Sequence, residues 1–208
     1  INPEGVLNFL HYHRGYKTHY EHECLRRANT IAAKGHKAAT EAFMAGRCEF
    51  EIQQNYLQAI AHNEHQTPYN SIVALNEHAA ILHYTGGDRQ APKISRSLLI
   101  DAGANYHGYA ADITRTHAKQ DCHFSDLISR VDDITLKLVE LLKPGVNYVD
   151  VHIAAYREVA LALKDFDIIN TSADDAIDAG IVSAFFPHGT GHHLGLQTHD
   201  VGGFMLDE

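Results

Sequence analysis

The sequence predicts an α+β fold, with helices packed on an antiparallel sheet. Three observations lead there. Stretches with apolar residues at helical spacing lie on both sides of a central region. That region holds two β-prone runs around the turn-forming segment Asn105-Tyr106-His107-Gly108. Helices that precede and follow a hairpin, rather than alternating with single strands, suit an antiparallel sheet.

The elements follow in order. Residues 1–16, with Pro3, two glycines and many Tyr, His and Asn, read as a connector from a preceding domain; residues 17–208 read as the catalytic domain. The alanine-rich run 21–45 favours a helix that Gly46 ends. A second helix is expected over 49–62, with Phe50, Ile52, Tyr56, Leu57 and Ile60 as its stripe. A loop around Pro68 leads to a short strand at 71–75, and the apolar run 80–84 reads as another, closed by Gly86-Gly87-Asp88. The clearest strand pair is 97–104 with 109–116. Helical spacing returns over 125–142, which Pro144-Gly145 stops, and again over 149–163. Ser172 and Asp175 form a capping pattern for a short helix over 173–179.

Composition narrows the function classes. A net charge of −9 argues against a nucleic-acid partner. No apolar run reaches membrane-spanning length and no signal peptide opens the chain, so no membrane partner is expected. Cys24, Cys48 and Cys122 are odd in number and scattered, which suits a reducing, cytoplasmic setting. Asn170-Thr171-Ser172 then reads as a chance glycosylation pattern. Seventeen histidines favour metal or acid–base chemistry, although most are expected on the surface. The chain opens on Ile1 and stops at Glu208 soon after a dense motif, so a fragment is expected.

The hairpin carries the first chemical inference. With Tyr106-His107 as a two-residue loop, Asn105 faces Gly108, and Asp101 falls directly opposite Asp112 on one face of the sheet. Two facing carboxylates among Leu98, Leu99, Ile100, Ala110, Ala111 and Ile113 repel each other unless a proton or a cation lies between them. A pair of divalent ions bridged by carboxylates suits such spacing. The alternative is a pair of solvated strand-end aspartates, which the poor strand preference of Asp disfavours.

The second constellation is His188, His192, His193 and His199 among Gly189, Gly191, Gly195 and Gly202. Glycines free the backbone to aim side chains at one point. Imidazole suits zinc, manganese or cobalt, or donates to a developing oxyanion. The alternative is an exposed histidine-rich loop, and His193 is the member that best fits it. His83, in an apolar run, reads by itself as a hydrogen-bonded core histidine.

Taken together, Ile81 to Tyr84, Ile100-Asp101-Ala102-Gly103 with Gly108 to Thr116, and His188 to Asp200 resemble the motifs of the metallopeptidase family with the pita-bread fold. This family holds prolidases, proline-specific aminopeptidases and methionine aminopeptidases. The lead-in Phe185-Phe186-Pro187 and the exit Val201-Gly202-Gly203-Phe204 are most similar to bacterial prolidases, a group that includes hydrolases of organophosphorus esters and fluorides.

The resemblance implies a creatinase/aminopeptidase-like pita-bread fold, incomplete at the C-terminus. It implies two divalent metal ions, manganese first, with cobalt or zinc as alternatives. Asp101 would ligate one ion, Asp112 would bridge both, and His192 would ligate the second. Two further glutamate ligands would lie beyond the sequence. His83, His188 and His199 would bind the substrate and stabilise the tetrahedral intermediate, and Tyr69 would line its pocket. The implied reaction is hydrolysis of Xaa-Pro dipeptides by a metal-bridged hydroxide, with organophosphate hydrolysis as a secondary activity. The implied full-length enzyme is a homodimer. Its rivals are an Xaa-Pro aminopeptidase, a metal-free creatinase-like enzyme and a non-catalytic binding protein of the same fold.

Overall fold

Small residues on one face of an alanine-rich helix allow close packing. In the computed structural model, which describes residues 3–202, that helix is α2 (His19–Met44), preceded by α1 (Glu4–Gly15). Ala28, Ala32, Gly35, Ala39 and Ala42 face inward along α2, with His36 and Phe43. Its start is set by Thr18 and Glu21, whose side chains each cap the other's backbone N–H. The stretch expected as a connector is therefore helical over most of its length, although α1 buries no residue. Helix α3 (Glu49–Ile60) packs on α2 through Ile52, Tyr56, Leu57 and Ile60, as its periodicity predicts.

Five strands follow: β1 (Ile72–Leu75), β2 (Ser97–Asp101), β3 (Asn105–Tyr106), β4 (Tyr109–Ala110) and β5 (Thr114–Ala118). Strands β1, β2 and β5 form an antiparallel sheet in the order β1-β2-β5, while β3 and β4 form a small ribbon. Leu98 and Ile100 reach from β2 into a core that includes Phe43, Ile52 and Tyr56. The run 80–84 is not a strand. A 3-10 turn over Asn76–Ala80 leads into it, residues 81–84 form a loop, and His83 adopts a left-handed conformation at φ 53°.

The expected hairpin register is corrected by two residues. Tyr106 pairs with Tyr109, so the loop is His107-Gly108 rather than Tyr106-His107, and Asp101 pairs with Thr114 rather than Asp112. The physical reason is the turn. A two-residue hairpin of this hand needs positive φ at both loop positions. His107 at 52° and Gly108 at 86° supply it. Both expected strands are also interrupted where Gly103 meets the opposite chain: a Cβ there would stand 2.0 Å from the Ala111 carbonyl oxygen. Backbone bonds Ala102 N to Ile113 O and Ala111 N to Ala104 O keep the two arms joined across the gap.

The chain divides into two compact units. The first runs to Lys119 and takes up the chain again at His192, and contains every element above. The second, Gln120–Gly191, is helical: α4 (His123–Leu141), α5 (Tyr148–Asp165), α6 (Ala173–Asp178) and α7 (Ile181–Phe185). Ser172 caps α6 as its pattern predicts, accepting from the Asp175 N–H. The short helix α7 was not anticipated. Ala160, Ala176 and Val182 form the core of this unit. Among the described residues no helix is long and apolar enough to cross a membrane.

Candidate metal centre

A slip of two residues preserves the side of a strand on which a side chain points. Asp101 and Asp112 therefore remain on one face, as diagonal rather than direct neighbours. The side chain that joins them is Tyr69, from the loop before β1. Its hydroxyl lies 2.7 Å from Asp101 Oδ1 and 2.8 Å from Asp112 Oδ1. One hydroxyl proton serves two carboxylates, so one of the two contacts lacks a full hydrogen bond. Burial, reinforced by both carboxylates, pushes the Tyr69 phenol far above its usual range. Burial also raises the Asp101 carboxyl, with the charge of Asp112 adding to it, while hydrogen bonds from Tyr69 and Thr114 oppose the rise.

The histidine loop supplies the other wall. Ala110 N donates to Gly195 O at 2.9 Å, which docks the loop on β4. His192 Nδ1 meets the His193 carbonyl at 2.9 Å, and Nε2 lies 3.1 Å from Asp112 Oδ2. With Nδ1–H spent on a carbonyl, Nε2 presents a lone pair to a carboxylate, and the two are reconciled by a cation between them, a proton or a metal ion. An Nδ1–H held by a backbone carbonyl is the usual support of a metal-ligating histidine. The His199 ring packs against His192 with centroids 4.0 Å apart. Ligand atoms of Asp112, His192 and His199 all lie within 4.8 Å of one another. The donor set, carboxylate and imidazole ligands close together, fits a divalent ion.

The structure thus brings together Tyr69, Asp101, Asp112, His192 and His199. His83 is exposed on the loop after β1, and no hydrogen bond or ring contact joins it to that group among the described residues. His188 is exposed and belongs to the second unit. His193 is exposed and serves through its carbonyl, which accepts from Asp200 N. Gly203 and Phe204 of the exit motif lie outside the described residues.

Three supporting residues are not among the expected site residues. His36 of α2 is buried and donates from Nε2 to the Ala102 carbonyl at 3.0 Å, beside Asp101. Asp200 binds Lys17 at 2.7 Å and Arg14 at 2.8 Å, which anchors the histidine loop. Glu49 is buried beneath the loop that carries His83. The available signal for each was a polar residue on an otherwise apolar face or beside a motif.

Comparison with known proteins assigns the family. The family model described as metallopeptidase family M24 matches residues 23–207. An Xaa-Pro dipeptidase of Colwellia psychrerythraea is 56% identical over 208 residues, covering 100% of this chain and 47% of that protein. An Xaa-Pro dipeptidase of Pseudoalteromonas atlantica is 56% identical over 212 residues, covering 100% of this chain and 48% of that protein. Zinc-substituted aminopeptidase P of E. coli, solved with product, superposes with a TM-score of 0.87 at 31% identity, over 96% of this chain and 46% of that one. The chain spans about half the length of the curated relatives it matches. Its mixed helices and antiparallel sheet are those of the pita-bread fold, and the chain belongs to metallopeptidase family M24.

Proposed function

We propose that this protein is a metal-dependent Xaa-Pro dipeptidase. The observation that carries the reading is that Asp112 meets His192 through one oxygen, with His199 in the same cluster, and is linked to Asp101 by the Tyr69 hydroxyl through the other. The identity to Xaa-Pro dipeptidases, 56% against 31% to aminopeptidase P, favours dipeptides ending in proline over longer Xaa-Pro peptides.

In this reading Asp101, Asp112 and His192 would hold a pair of divalent ions, manganese by preference, together with the two glutamates that the resemblance implies. The chemistry such ions supply is polarisation of the scissile carbonyl and ionisation of water near neutral pH. Asp112 would be the carboxylate shared by both ions, since one of its oxygens lies at the Tyr69 hydroxyl that also reaches Asp101 and the other lies at His192. Tyr69, whose hydroxyl spans the two carboxylates, keeps them from turning apart and lines the substrate pocket. His83, His188 and His199 donate from their imidazole nitrogens to the substrate carboxylate or carbonyl, bonds that strengthen as negative charge develops on the oxygen. The protein is cytoplasmic and works as a homodimer, and hydrolysis of organophosphorus esters is a secondary activity.

The test is calorimetric titration with manganese, combined with proline release from an Xaa-Pro dipeptide, on the protein at the full length of its relatives. Binding and turnover that Asp112→Ala abolishes are expected. Turnover that survives Asp112→Ala or removal of metal by a chelator overturns the reading.

A further inference from the structure

A carboxylate deep in a protein needs its oxygens satisfied. Glu49, in the first turn of α3, is 1% exposed and meets this demand in full. Oε1 accepts from Leu75 N and His78 Nδ1, each at 2.8 Å. Oε2 accepts from the Tyr84 hydroxyl at 2.7 Å and Asp88 N at 2.8 Å. Glu49, His78 and Asp88 could formally enclose a cation, but with two hydrogen bonds on each oxygen Glu49 has no lone pair to offer one.

The four donors have one feature in common. They come from the two ends of a single loop and from inside it, bracketing His83. Leu75 is the last residue of β1 and Asp88 closes the loop, so one carboxylate ties the loop shut at its base. The bond from Phe50 N to Asp88 O fastens the same end to α3. His78 and Tyr84 stack at 4.6 Å, with both polar atoms turned to Glu49. Tyr84 can fold back this way because Gly86 has no Cβ; one there would stand 2.2 Å from the Tyr84 oxygen. His83, next to Tyr84, is left exposed and in a left-handed conformation, a strained position for a non-glycine residue. Such strain persists only where the surroundings over-determine it.

We propose that Glu49 is a positioning residue, which sets the reach of His83 toward the substrate by pinning both ends of the loop 76–88. The inference rests on the reading of His83 as a substrate-binding donor. Glu49 touches neither substrate nor metal. It acts on geometry, where a displacement of about an ångström costs on the order of 100-fold in rate.

The experiment uses the full-length, manganese-loaded protein and the isosteric variant Glu49→Gln, with His83→Ala and the double variant. Glu49→Gln removes an acceptor without opening a cavity. The expected result is a loss of about 10–100-fold in kcat, with unchanged manganese content and faster hydrogen exchange at the Leu75 and Asp88 amides. The double variant should lose no more than His83→Ala alone, because Glu49 acts through His83. A loss that adds to that of His83→Ala overturns the proposal, as does full activity in Glu49→Gln while His83→Ala is impaired. If His83→Ala itself retains full activity, the assigned role of His83 fails and the proposal with it; amide exchange then records whether Glu49 still pins the loop.

Discussion

At the scale of single residues, the centre is a problem in charge that the protein alone leaves unsolved. Asp101 is held beside Asp112 in a largely apolar setting, and its carboxyl is raised, by burial first and by its neighbour's charge as well. An unfolded aspartate titrates near about 4. Between that value and the higher folded one, the native state holds the extra proton, so the stability of the metal-free protein falls as pH rises through this window. Asp101→Asn removes the buried charge and keeps the shape. It should raise the melting temperature of the metal-free protein at pH 7 by about 2–4 °C, the equivalent of roughly 1 kcal/mol. It should also abolish any stabilisation by manganese. Thermal melts from pH 4 to 8, with and without manganese, check both statements; a variant that melts below the parent without metal would show that Asp101 is already satisfied by Tyr69. Tyr69 itself was legible only as a pocket residue, because nothing in a sequence reveals that one hydroxyl will reach two carboxylates from a neighbouring loop.

At the scale of elements, the interrupted hairpin decides where the carboxylates stand. Gly103 has no room for a side chain, with Ala111 O, Pro68 Cγ and Tyr69 Cε1 all within 2.8 Å of where a Cβ would sit. Backbone cannot yield as a flexible side chain can. Gly103→Ala should therefore destabilise the protein by about 3 kcal/mol and displace Tyr69 from the carboxylates. A denaturant midpoint lowered at constant m-value, together with weaker manganese binding, is the expected result; a shift below about 0.5 kcal/mol would mean the two arms separate easily. The hairpin also shows what was legible. That the two aspartates share a face follows from the period of two along a strand, and the structure keeps it. Their exact pairing depended on which two residues turn, and the choice between Tyr106-His107 and His107-Gly108 rests on backbone angles that composition does not settle. The helices α2 to α6 were legible because periodicity and caps act within each of them. The run 80–84 departs from its expected strand for the opposite reason: its apolar residues suggest a strand, but Glu49, distant in sequence, organises that loop from beneath.

At the scale of the molecule, the first unit is closed by a contact between distant parts of the chain. Asp200, just after the histidine loop, meets Lys17 and Arg14, which flank the junction of α1 and α2. The Lys17 and Asp200 side chains are only 7% and 2% exposed, so the pair is desolvated. Burial by itself would raise the Asp200 carboxyl, but the hydrogen bond and charge of Lys17, with Arg14 and the Val201 backbone, leave it lowered. A lowered carboxyl contributes stability above the unfolded value near about 4 and loses it as pH falls through the folded one. The contact should therefore hold throughout the neutral range and release only in acid. Asp200→Asn leaves the Lys17 ammonium buried without its counter-charge, which should cost about 3–5 kcal/mol at pH 7. Adding Lys17→Met removes the stranded charge and should recover a large part of that loss, a coupling that a double-mutant cycle of denaturant midpoints measures. Because Asp200 N also holds the His193 carbonyl, to which His192 Nδ1 is bonded, Asp200→Asn should weaken manganese binding as well as stability. Independent, additive effects of the two substitutions would mean that Arg14 and water satisfy Asp200, and that the histidine loop is held by its docking on β4 instead.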